Sequence, residues 1–308
     1  MKKTVFAIIA AALLASACTG RRGGANGADV KIPRVFVPAL VPSTLVGDEA
    51  RKEYMREHYW DNLDFADTMF LAEIDTVQML EAYARYVAAF VAPDDGAPIA
   101  RLMEKASATR YAFDYFAMLA EKVLYDPNSP LRNDELYIPV LEAQTASPLL
   151  DRYEKAAPEY NLQLARQNRT GRGANDFGYT DAAGRRGTLY GIKAEYTLIF
   201  FNNPGCPMCK EIREALCESP MLTEMIENGR LKILAVYPDE DLSAWEAYKD
   251  SIPAQWINAR DDGTAIRNGN LYDLKAIPSL YLLDARKRVL VKDSTDVGYI
   301  EYVIDHAE

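Results

Sequence analysis

Residues Cys206-Pro207-Met208-Cys209 constrain this chain more than any other four positions. Two cysteines separated by two residues can close a small disulfide and reopen it, which is dithiol redox chemistry. Their surroundings say where the pair sits. An apolar run, Tyr196-Thr-Leu-Ile-Phe-Phe201, reads as a buried strand, and Asn202-Asn-Pro-Gly205 as a tight turn. Lys210-Glu-Ile-Arg-Glu-Ala-Leu216 follows with helical spacing. Strand, turn, pair and helix in that order put Cys206 at a helix N-terminus. Unpaired backbone N–H groups and the helix dipole favour a thiolate there. Pro207 suits the first helical position, where its missing N–H costs little.

Other uses of a cysteine pair fit poorly. Zinc needs about four ligands, and beyond Cys217 the remaining candidates are His58 and His306, both distant in sequence. Covalent haem attachment would need histidine after the second cysteine, where Lys210 stands. No metal and no cofactor is therefore expected. Cys217 follows Cys209 by eight residues, about 12 Å along a helix, too far for a disulfide without unwinding it. It reads as a small buried apolar residue.

A chain of 308 residues is long enough for about two domains, and its net charge of −10 argues against nucleic acid as a partner. The first residues read as a targeting segment. Lys2-Lys3 is a positive start, and Val5 to Leu14 is an apolar stretch too short to span a bilayer. Ala15-Ser16-Ala17 then precedes Cys18. A signal-peptidase site and a lipobox both make Cys18 the first mature residue, so both predict export. This start resembles that of bacterial lipoproteins, with Ala15 where they usually carry Leu. The resemblance implies a signal peptide over 1–17, lipid attachment at Cys18 and a periplasm-facing protein anchored in the cell envelope.

Residues 18–32 are Gly-rich and polar, as a flexible tether would be. From 33 to 168 the pattern is helical. Leu80, Ala84, Val87 and Val91 recur on one face, as do Ala112, Phe116, Leu119 and Val123. Asn133 is placed to cap the following helix. Five or six helices are expected. Thr170-Gly-Arg-Gly-Ala174 interrupts the pattern, and over 170–308 strands alternate with helices. A hairpin is predicted around Asp181-Ala-Ala-Gly184, buried strands at Tyr196–Phe201 and Leu231–Tyr237, a second hairpin around Ala285-Arg-Lys-Arg288, and a closing helix from Val297 to His306.

Residues 174–308 resemble the exported, membrane-tethered thioredoxin-like thiol–disulfide oxidoreductases related to TlpA and ResA. The first hairpin, the Cys206–Cys209 pair and Ala276-Ile-Pro-Ser279 before a strand carry that resemblance. It implies an α+β chain, with a C-terminal thioredoxin-like α/β sandwich behind an all-α domain. The layout also resembles Bacteroidetes lipoproteins with a helical domain of unknown function. In the family, Cys206 would be the nucleophile and Cys209 would resolve the mixed disulfide. Pro278 would be cis, and with Ile277 would bind substrate by presenting backbone to an extended segment. Protein disulfides or dithiols are the implied substrates, with a membrane thiol reductase or oxidase as redox partner.

Two positions depart from the pattern. Thioredoxins carry a buried Asp six residues before the first cysteine, where this chain has Phe200, and an aromatic residue just before it, where this chain has Gly205. Glu195 is a weak substitute for the missing carboxylate, better read as a solvated strand end, and Lys210 reads as a solvent-facing lysine. His58, amid aromatic residues, reads as packed. Two alternatives remain beside a protein-disulfide reductase or isomerase. One is a peroxiredoxin-like peroxidase, although Asn203 occupies the place of its Thr. The other is a binding lipoprotein whose helical domain captures a partner.

Overall fold

A computed structural model describes residues 34–261 and 263–307, and residues 34–307 belong to one compact unit. Cys18, the segment 1–17 and the tether lie outside the described residues. The first half is helical: α1 Asp48–His58, α2 Thr68–Glu73, α3 Thr76–Phe90, α4 Ala97–Ala106, α5 Arg110–Ala120, α6 Asp134–Ala146 and α7 Arg152–Ala165. Seven α-helices stand among the described residues where five or six were expected, because α2 is too short to show a periodic face. Side chains of Asp67, Asp75, Thr109, Asn133 and Asp151 accept backbone N–H groups at the starts of α2, α3, α5, α6 and α7. Five helices thus begin where a short polar side chain can take over an orphan donor.

Their packing follows the apolar spacing with one rotation. Ala112, Phe116, Leu119 and Val123 are all buried, as predicted. On α3 the buried centre is Met79, Ala82, Tyr83, Tyr86 and Val87, while Leu80, Ala84 and Val91 lie at its margin. Tyrosine explains the shift. The rings of Tyr83 and Tyr86 fill the core beside Trp60, and the Tyr86 hydroxyl donates to the Arg56 carbonyl at 2.9 Å.

The second half is a seven-stranded mixed sheet in the order β2-β1-β5-β4-β3-β6-β7. Its strands are β1 Gly178–Asp181, β2 Arg186–Thr188, β3 Tyr196–Phe201, β4 Leu231–Tyr237, β5 Ile257–Asp261, β6 Ser279–Leu283 and β7 Val289–Ser294. Strands β3, β4 and β5 run parallel, and β1, β2, β6 and β7 add antiparallel partners. Between β3 and β4 come two helices, α8 Pro207–Glu218 and α9 Pro220–Glu227. The chain continues through α10 Leu242–Tyr248 and α11 Ala265–Asn268, and ends in α12 Val297–His306.

All six β3 residues are buried, because the sheet is covered on both faces. Leu198 and Phe200 face a core shared with Ile212, Leu216, Leu222 and Ile300. Ile199 and Phe201 face Phe177, Leu189, Tyr272 and Tyr281. The two halves are sewn together at their junction. Asn168 Nδ2 donates to the Leu271 carbonyl at 2.7 Å, and Gly171 N–H to the Val289 carbonyl at 2.8 Å. Val289 N–H returns a bond to the Arg172 carbonyl, also at 2.8 Å. The stretch that reads as a breaker is therefore bonded to β7.

Candidate active site

Strand β3 ends at Phe201, and the chain must turn sharply to enter α8. Gly205 makes that turn with φ +72°, a left-handed conformation in which a side chain would cost about 1–2 kcal/mol. That is the local reason an aromatic residue does not precede Cys206 here. Cys206 is the N-cap of α8 and Pro207 its first residue. The Cys209 backbone N–H donates to Cys206 Sγ at 3.1 Å, so the sulfur takes the place of a capping oxygen.

Both cysteines are free thiols in unlike settings: Cys206 is half-buried and Cys209 fully buried. Burial, reinforced by its hydrogen-bonded neighbour Cys206, pushes the Cys209 thiol up to about 12. Cys206 also meets the loop before β6. The Ile277–Pro278 peptide is cis, and the Cys206 thiol donates to the Ile277 carbonyl at 3.8 Å. Cys206, Cys209, Ile277 and Pro278, chosen from sequence, are thus brought together across 71 residues of chain.

Of the other residues weighed from sequence, Phe200 shares the core that holds Cys209, and Glu195, Lys210 and His58 make their side-chain contacts elsewhere. Phe200 is fully buried beneath the pair, edge-on to Trp256 with ring centroids 6.2 Å apart. Glu195 is held by Arg230 in two bonds of 2.7 and 2.8 Å at the far end of β3, a solvated strand end as expected. Lys210 is exposed and lies 3.7 Å from Glu214. His58 stacks on Tyr54 and bonds Asp61 at 2.6 Å. Cys217 corrects the expectation of a buried thiol. It is exposed, because Ile212 and Leu216 define the buried side of α8 and position 217 falls on the other.

Several contacts near the pair had no signal in the sequence. Asn203 Nδ2 donates to Asp239 at 2.9 Å, and Asp239 also pairs with Arg267 at 2.7 Å. That chain of contacts ties the turn before Cys206 to the loop after β4. Arg213, four residues past Cys209 on α8, donates to the Tyr248 hydroxyl at 2.9 Å. Tyr248 packs on the core that contains Cys209, together with Cys206 and Ile277. Only the i,i+4 spacing of Arg213 from Cys209 could have hinted at it. Among the described residues, no group of three or more His, Cys, Asp or Glu is arranged to hold a metal ion.

A cysteine pair at the start of a helix, facing a cis-proline loop beside a mixed sheet, defines a thioredoxin-like site. Comparison with known proteins agrees. A crystal structure of a thioredoxin-like protein from Bacteroides caccae is 41% identical, covers 89% of this chain and 99% of its own, and superposes with a TM-score of 0.84. The chain belongs to the thioredoxin-like proteins. Residues 19–168 match the family described as a domain of unknown function, DUF5106. The C-terminal domain of an uncharacterized protein from Bacteroides fragilis is 45% identical over 44% of this chain and 98% of its own, with a TM-score of 0.43. Nucleoredoxin of Xenopus laevis is 26% identical over 115 residues, 37% of this chain. The chain spans about a quarter of the length of that curated relative.

Proposed function

We propose that this protein is a thiol–disulfide oxidoreductase, acting on protein disulfides or dithiols through Cys206 and Cys209. One observation carries the reading: the half-buried Cys206 sulfur meets both the Cys209 N–H and the Ile277 carbonyl, while Cys209 is buried in a setting that pushes its thiol up. In the reductive direction Cys206 attacks as thiolate. A new S–S bond forms to one substrate sulfur, and the other leaves as a thiolate that takes up a proton. Cys209 then loses its proton and attacks Cys206, which closes the Cys206–Cys209 disulfide and frees the second substrate thiol. Two electrons pass from the dithiol to the substrate. The Ile277 backbone is placed to pair with an extended substrate segment.

The helix N-terminus at Cys206 and the dry setting of Cys209 support this division of roles. A peroxidase reading is weaker, since Asn203 is occupied by Asp239 and supplies no hydroxyl to a peroxide. The charged and apolar order of the first 18 residues supports export and lipid anchoring at Cys18. It favours an envelope location and a membrane thiol reductase or oxidase as redox partner. Among the described residues, no helix is long and apolar enough to cross a membrane.

The test is insulin-disulfide reduction with dithiothreitol as the electron source. Cys206→Ser should abolish the catalysed rate, and Cys209→Ser should accumulate a mixed disulfide between Cys206 and substrate, visible as a mass adduct. Wild-type protein that exchanges with no disulfide at any redox poise would sink the proposal.

A further inference from the structure

Two residues before Ile277, Lys275 is nearly buried among carboxylates. Its Nζ lies 2.7 Å from Asp273 Oδ2, 3.6 Å from Asp134 Oδ1 and 4.0 Å from Asp293 Oδ2. It also stands 4.4 Å from the centre of the Tyr125 ring. On the other side of the cis bond, the Ser279 hydroxyl donates to Asp293 Oδ1 at 2.7 Å. Arg132 Nη2 lies 3.2 Å from Asp293 Oδ2 and donates to the Asp293 main-chain carbonyl at 2.7 Å. Lys292 Nζ lies 2.7 Å from Asp134 Oδ2 and donates to the Ala165 carbonyl at 2.7 Å. Three cations face three carboxylates, and no side chain of the six is more than 13% exposed.

Burying so many charges is costly, and apolar residues could have joined the halves as well. What paired charges add is geometry, because loss of one partner strands the other in a dry setting. The elements joined are informative. Tyr125, Arg132, Asp134 and Ala165 belong to the helical region. Asp273, Lys275 and Ser279 bracket Ile277 and Pro278, and Lys292 and Asp293 are the strand residues that complete the clasp. The helical region therefore grips the loop that faces Cys206 from both of its ends.

We propose that the helical region is a scaffold that positions the substrate-docking loop. Asp134 and Arg132 are the positioning residues, acting through Lys275 and Asp293 on the Ile277 backbone. The proposal rests on the exchange reading above and gives the helical region a part in it.

Asp134→Asn tests this in the full chain, since it removes charge with little change of shape. Its kcat/KM for a peptide disulfide should fall about tenfold, mainly through KM, because a docking surface displaced by a fraction of an ångström costs on that order. Alkylation of Cys206 by iodoacetamide, which needs no docking loop, should stay within about twofold of wild type. Amide hydrogen exchange over 273–280 should quicken while that of β3 and β4 stays unchanged. Arg132→Gln should reproduce the pattern if Asp134→Asn fails to fold, and Arg132→Lys should restore part of the rate. Wild-type protection of 273–280 in a folded variant, or equal losses in exchange and alkylation, would overturn the scaffold. A wild-type protein that alkylates at Cys206 yet exchanges with no peptide disulfide would sink the exchange reading instead.

Discussion

At the scale of single residues, the two thiols differ because one caps a helix and the other lies beneath it. That difference is measurable. At pH 7 Cys209, pushed up to about 12, remains a thiol and is shielded from solvent. Brief iodoacetamide treatment followed by peptide mapping should modify Cys206, and Cys217 more slowly because, although exposed, its thiol is raised by desolvation. Cys209 should react only after unfolding. Equal labelling of Cys206 and Cys209 in the native protein would contradict the division of roles. The cysteine pair was legible in the sequence because it sits in a short motif with a local physical reason, whereas Pro278 was legible only through the family resemblance of Ala276-Ile-Pro-Ser279. Tyr248 was not, since its partner Arg213 is 35 residues away, and neither was the Arg132–Asp293 contact, which spans 161. Pairings of that kind depend on how the sheet folds back, which no local pattern carries.

Among elements, legibility followed burial. Strands β3 and β4 are apolar runs broken only by Thr197 and Lys232 and were read to the residue, as was α12. Strand β5 escaped notice because Ile257-Asn-Ala-Arg-Asp261 holds only two apolar residues; its place comes from parallel pairing with β4. Helix α9 escaped for a different reason. It follows α8 with a break of one residue, Ser219, which closes the first helix and caps the second. The Ser219 oxygen accepts the Leu222 N–H at 3.0 Å, and its hydroxyl donates to Glu301 on α12. One buried hydroxyl thus fixes the corner of three helices. Ser219→Ala should destabilise the protein by about 1–2 kcal/mol, seen as a lower urea midpoint at unchanged slope. An unchanged midpoint would mean that the corner is held by packing alone.

The whole molecule carries a pH signature in its buried charge network. Burial is the largest influence on Asp293 and outweighs Arg132 and Lys275, raising its carboxyl to about 6 against about 3.9 in an unfolded chain. Between those values the folded protein binds more protons at this site than the unfolded chain. The Asp293 contribution to stability therefore falls as pH rises from about 4 to about 6, and is constant outside that window. Asp134 opposes it in sign: its burial is outweighed by Lys292 and Lys275, and its carboxyl is held below the usual range. A difference experiment separates the two. The stability of wild type minus that of Asp293→Asn should decline across pH 4–6, measured by urea titration at each pH. A flat difference would show that Asp293 is ionised throughout.

The bonds between the connector and β7 have a consequence for how copies of this protein meet one another. A sheet invites growth at its outer strands, whose free N–H and C=O groups can recruit a strand from another molecule. One outer strand here, β2, is three residues long and offers little to zip against. The other is β7, where the rungs at Val289 are taken by Gly171 and Arg172 and the Asp293 carbonyl by Arg132. A neighbouring chain arriving at that edge meets rungs already filled at both ends. The stretch that joins the halves, together with Arg132, thus also discourages sheet-to-sheet polymerisation.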